Sequence, residues 1–198
     1  MSARVYVEGG GDSKELHARC REGVRRLLEK CGFGGRMPRT VACGSRGATF
    51  DDFRTAHGHA RNKDYVAMLV DSEDRVADIN ETWAHLKQRD NWDKPAGASD
   101  EQVFLMTTCM ETWIVSDRKT LQNHYKGLQI SAMPPLGDME SRERHAIQDA
   151  LLHATRKCKN GYRKGERSFE ILGKLDPTVL RQHLPSFERL VRILNDKL

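Results

Sequence analysis

Four carboxylates stand where an apolar run gives way to glycine, polar residues or a helix start. They are Glu8 after Val5-Tyr6-Val7, Asp71 and Glu73 after residues 65–70, and Glu111 shortly after residues 103–107. In an open α/β sheet the carboxyl ends of the strands face a ligand crevice, so acids repeated at that edge share one space. Taken singly, each reads as a helix-terminal charge or half of a salt bridge, because acids favour first helical turns. Gathered together they repel unless a cation neutralises them, and a hard divalent cation such as Mg²⁺ or Mn²⁺ prefers a few carboxylates plus water. In that reading Asp71 and Glu73 hold the cation, Glu8 is a ligand or general base, and Glu111 completes the set. Asp12, Asp51 and Asp52 read as helix caps, and Asp74 as either ligand or cap.

A second chemical signal lies at residues 156–167, Arg-Lys-Cys-Lys-Asn-Gly-Tyr-Arg-Lys-Gly-Glu-Arg. Basic residues around one aromatic suit contact with a phosphate backbone, and the competing reading is a solvated loop. Arg163 and Lys164 are singled out, since Gly161 and Gly165 would let this segment approach a phosphate closely. The whole chain carries a formal charge of +5 with a pI near 9.0, so the local excess says more than the total. The Gly9-Gly10-Gly11 turn lacks the spacing of a nucleotide-binding loop. His57 and His59 are too close for one helical face and read as surface residues, and Trp83, Trp92 and Trp113 as packing residues, with Trp92 in a polar loop. Five scattered cysteines without a C-x-x-C pair argue against disulfides and zinc.

These residues need a scaffold, and the chain supplies one. Residues 5–7 and 103–107 read as buried strands, 39–44 as a weaker one, and 65–70 as the central strand, apolar without alternation as in a sheet covered on both faces. Helices are expected from a capping box at Asp12 and Glu15 to about residue 30, from Thr49 to about Arg61, from Ile79 to Arg89, and from about Cys109. The resulting β-α alternation implies a parallel sheet with right-handed crossovers. Past residue 125 the chain reads as helical without strands, with helices near 141–157 and 185–197, giving an α/β domain over 1–125 and a helical extension over 126–198. No apolar run approaches a membrane span and no signal peptide is expected, which suggests a cytoplasmic protein.

Val7-Glu8-Gly9, Asp71-Ser72-Glu73 and Cys109-Met110-Glu111-Thr112-Trp113 together resemble Toprim-type proteins. The closer likeness is to a bacterial domain of unknown function related to overcoming-lysogenisation-defect nucleases. Residues 49–53, 100–102 and 168–173 extend it over nearly the whole chain. The wider Toprim pattern has an acid after the first strand, matched by Glu8, and D-x-D after the third, matched by Asp71 with Glu73 in place of the second Asp. The resemblance implies a Toprim-like, Rossmann-like parallel four-stranded sheet and a Mg²⁺ or Mn²⁺ site. It further implies a nuclease acting on DNA or RNA as the effector of an ATPase-associated anti-phage defence system. The alternative is a non-catalytic binding or regulatory subunit of an ATPase complex.

Overall fold

The structure, a computed structural model, describes residues 2–61 and 63–198. Its first part alternates as expected: β1 (Ala3–Gly10), α1 (Lys14–Leu28), β2 (Arg39–Gly44), α2 (Arg46–Gly58), β3 (Tyr65–Asp71), α3 (Thr82–Asp90), β4 (Val103–Met106) and α4 (Met110–Ser116). The strands form one sheet in the order β2-β1-β3-β4, every pair parallel. Successive side chains alternate across the pleat. Val5, Val7, Ala67 and Leu69 enter a core with α1, while Tyr6, Val66, Met68 and Val70 pack with Phe50, Phe53, Trp83 and Leu86 from α2 and α3. All of β3 is buried, which accounts for its unbroken apolar reading.

This order fixes where a ligand can enter. From β1 the chain moves through α1 to β2 on one side, then returns past β1 through α2 to β3 on the other. The reversal leaves a crevice at the carboxyl ends of β1 and β3, the position at which such sheets take their ligands. There β1 stops running in register: Glu8, Gly9 and Gly10 all face Gly44 of β2, so the strand curls as it leaves the sheet.

After residue 125 no strand occurs among the described residues. The later chain forms α6 (Arg144–Thr155), α7 (Glu166–Leu172), α8 (Pro177–His183) and α9 (Pro185–Lys197), preceded by α5 (Arg118–His124). Ile147, Leu151, Phe169, Leu180 and Leu190 share one apolar core with Val5 and Leu69, so these helices form the outer layer of the α1 side. No helix among the described residues is long and apolar enough to cross a membrane.

Several local expectations are corrected. Ser13, rather than the Asp12 and Glu15 pair, caps α1, its hydroxyl accepting from Leu16 N at 3.4 Å. α2 starts at Arg46 instead of Thr49 because Ser45 caps it, accepting from Ala48 N at 3.2 Å. Asp51 and Asp52 therefore fall inside the helix, where Asp51 pairs with Arg54 at 2.9 Å. α2 also ends at Gly58, short of Arg61. α3 begins at Thr82 and not Ile79, its first turn held by Asp100, whose Oδ1 accepts from Trp83 N at 2.9 Å.

Candidate metal centre

The crevice gathers three of the four carboxylates. One oxygen each from Glu8, Asp71 and Glu73 lies within 4.8 Å of the other two. The backbone sets the first two: Asp71 N donates to Glu8 Oε2 at 3.1 Å, and Met110 N, at the start of α4, donates to Asp71 Oδ1 at 2.8 Å. Glu73 arrives by a different route. Its backbone lies in the left-handed region at φ 67°, and its N–H donates to Thr108 O at 2.8 Å, so a turn after β3 directs the side chain back toward the strand ends. Non-glycine residues held in this region cost roughly 1–3 kcal/mol, and such residues concentrate at functional sites.

The charges are costly where they stand. Asp71 is 7% exposed, and burial first, then the neighbouring Glu8 and Glu111 carboxylates, pushes its carboxyl well above the usual range. Burial also raises Glu8, against the pull of Arg46. Both shifts mark groups whose anionic form the fold disfavours, a pattern that clusters at functional sites.

Residues 7–195 match the family described as Domain of unknown function (DUF4276), a span that includes every site residue. The chain belongs to the DUF4276 family. No curated protein and no solved structure matches it. The DUF4276 description names no reaction, substrate or metal, so the chemistry rests on the geometry.

Around the triad the DUF4276 chain places cations that the strand-end pattern does not reveal. Arg46, which lies ahead of the expected helix start at Thr49, is the first residue of α2. It reaches Glu8 at 3.5 Å and the Asp71 carbonyl, grips Asp90 through two bonds of 3.1 and 2.7 Å, and lies 5.0 Å from the Trp92 ring centre. Trp92 in turn stacks on Phe50 with ring centres 4.4 Å apart, a packing role for the indole. Arg89 stands 3.5 Å from Glu73, and Arg144 pairs with the same carboxylate. Asp74 turns outward and pairs with Arg89 at 3.2 Å.

Lys164 lines a cavity of about 290 Å³ together with Glu8, Asp71 and Met110, so the basic segment does roof the acids. The sequence stretch at 168–173 explains how. Ser168 Oγ accepts from Gly165 N at 3.0 Å and donates to Gly165 O at 2.7 Å, closing the turn that carries Lys164. Phe169 behind it presses on Gly9, where a Cβ would come within 3.0 Å of the ring. Arg163 is exposed beside this turn and does not line the cavity.

Glu111 is placed differently from the other three. It is fully buried behind Asp71, outside the converging group. Tyr162 Oη donates to its Oε1 at 2.6 Å, and Gln148 Nε2 donates to its Oε2 at 3.2 Å. Its carboxylate ties the lone aromatic of the basic segment to α4, and burial together with that carboxylate raises the Tyr162 hydroxyl above its ordinary value. Sequence spacing put Glu111 in a first helical turn correctly, but not which way that turn faces.

Proposed function

We propose that this DUF4276 protein is a divalent-metal-dependent phosphodiesterase that hydrolyses nucleic acid, built on a Toprim-like sheet. Its proposed setting is the cytoplasm, as the effector of an ATPase-associated anti-phage defence system. The observation that carries the reading is the approach of Glu8, Asp71 and Glu73 to within 4.8 Å at the β1–β3 crevice, with Lys164 overhead. The defence setting and the ATPase partner rest on the resemblance to overcoming-lysogenisation-defect nucleases.

The donor set fits Mg²⁺ or Mn²⁺. All three ligands offer oxygen, and the bonds from Asp71 N and Met110 N leave Glu8 Oε1 and Asp71 Oδ2 uncommitted. Two acids whose proton affinity burial raises, that of Asp71 raised further by Glu8, also gain from a nearby positive charge. A bound divalent cation would supply charge neutralisation at the phosphate and a more acidic water. Within the chain, Asp71 and Glu73 would hold that cation. Glu8, whose proton affinity burial raises, is suited to receive a proton from an attacking water. Lys164 faces the same cavity with three N–H donors for phosphate oxygens, and Arg163 beside it extends the contact outward.

The test is incubation of plasmid, single-stranded DNA and RNA with Mg²⁺ or Mn²⁺. Cleavage that disappears in Glu8→Gln and Asp71→Asn is expected. No cleavage in either metal, with or without a partner ATPase, sinks the enzymatic reading.

One observation favours the second reading, a non-catalytic binding or regulatory subunit. Arg46 already balances Glu8, and Arg89 with Arg144 balances Glu73, so the acids have internal cations. Loss of cellular function on substituting Arg163 and Lys164, with none from Glu8→Ala, would select it.

A further inference from the structure

The acids have a second flank that carries arginines, lined by no residue of the Lys164 turn, that the nuclease reading does not use. Glu73, Arg75 and Arg144 line a hollow of about 550 Å³. Arg75 and Arg142 line a second of about 450 Å³, walled by Met133 and Pro134. The two hollows share Arg75 and Glu143 and so form one groove leading away from the triad.

Two of its arginines, Arg75 and Arg142, lack a paired acid among the described residues, and so does Arg118, which lies beside Arg142 behind the lining. Among the described residues Arg75, Arg118 and Arg142 make no ion pair, although Arg46, Arg89 and Arg144 nearby all do. Arg142 donates to Gly137 O at 3.2 Å and Arg118 to Pro134 O at 2.5 Å, and each keeps a buried N–H without any partner, Arg142 at Nε and Arg118 at Nη1. Burial and the adjacent Arg142 bring Arg118 down to about 10, the mark of two cations held close without a counter-ion. Thr108 Oγ1 donates to Arg142 O at 2.9 Å, fixing this segment to the loop that receives the Glu73 N–H. Three acids line the groove: Glu73 is paired with Arg144 and Arg89, Asp74 with Arg89, and Glu143 makes no ion pair among the described residues.

We propose that this groove is a track for successive phosphates of a nucleic-acid strand, leading it across the acidic triad toward Lys164. The proposal rests on the nucleic-acid reading above and names a contact surface for it. The cations are strung along two joined hollows and do not converge on one point, which suits a chain of phosphates better than a single small anion.

Fluorescence anisotropy of a short labelled oligonucleotide, in chelator and across a salt series, tests it in the full-length protein. Arg75→Glu and Arg142→Gln should each weaken binding about fivefold to tenfold, and each should flatten the log–log salt dependence by about 0.7–0.9 per lost phosphate contact. Arg75 is exposed, so its variant decides the matter alone should Arg142→Gln unfold. Binding and salt slope equal to wild type in Arg75→Glu, or no binding by wild type at low salt, would overturn the track. So would competition by inorganic pyrophosphate at constant ionic strength, which would mark a small-anion site. Oligonucleotide binding that depends on Arg75 while no metal supports cleavage would uphold the track and reject the nuclease. Cleavage intact in Arg75→Glu with unchanged binding would do the reverse.

Discussion

Replacing Asp71 by Asn separates a metal site from a set of structural acids. The substitution keeps the shape and an oxygen able to accept from Met110 N, the 2.8 Å bond at the head of α4. It removes a charge whose neighbours lie within 4.8 Å. Two carboxylates at that separation repel by about 3 kcal/mol at an effective dielectric constant of about 20. Arg46 and Lys164 return part of this, so a net gain of about 1–2 kcal/mol is expected for the metal-free mutant. Whether the wild type bears the cost as repulsion or by binding a proton, Asn carries neither. For a chain of this size the melting temperature should rise by about 2–8 °C. Adding Mn²⁺ to wild type at a hundred times its Kd should contribute about 2.7 kcal/mol, and the mutant should lose that response. Thermal melts of both proteins, each with chelator and with metal, measure the four values. A mutant that melts below wild type in chelator, with no metal response in either protein, would show that Asp71 serves the fold alone.

Two further outcomes probe the scaffold. At Gly23 of α1 a Cβ would lie 2.4 Å from the Phe169 carbonyl oxygen, so Gly23→Ala must push α7 away and should cost at least about 1–3 kcal/mol in urea melts. If stability is unchanged, α1 and α7 do not pack as described. Glu140 is raised above its ordinary 4.5 chiefly by burial, against the pull of Ser186, whose N–H donates to it at 3.0 Å. The folded state therefore holds that proton more tightly than the unfolded chain, and the associated stability is full below pH 4.5 and lost as pH rises through the folded value. Glu140→Gln should flatten this slope in melts between about pH 4 and 7, and an unaltered slope would assign it to other groups.

Much of the fold was legible because β3 and β4 are buried throughout and read as plain apolar runs; the weaker edge strand β2 over Arg39–Gly44 also has the expected bounds. Helix starts were less legible where the cap comes from afar, as Asp100 does for α3. The short α5, α7 and α8 span seven residues each, too few for a periodic stripe, although Asp176-Pro177 is a recognisable start for α8 and Asp117 for α5. In the site, Glu8, Asp71 and Glu73 were readable because strand ends share an edge. Arg46, Arg89 and Arg144 were not, because they come from helices whose approach depends on packing. The direction of Glu111 depends likewise on the rotation of α4 against Tyr162, which local spacing leaves open.

The division of the crevice between early and late chain also constrains synthesis. Its floor comes from residues up to Met110, but its roof, Lys164 to Phe169, belongs to the last fifth of the sequence. When residue 125 leaves the ribosome, Leu69, Phe104 and Trp113 still lack the helices that cover them. At about 5–20 residues per second residues 126–198 take roughly 4–15 s, long compared with collapse of the finished part. Nascent chains thus carry an open apolar face for that interval, a natural docking point for chaperones, and the acids stay open to solvent until residues 164–169 have been made.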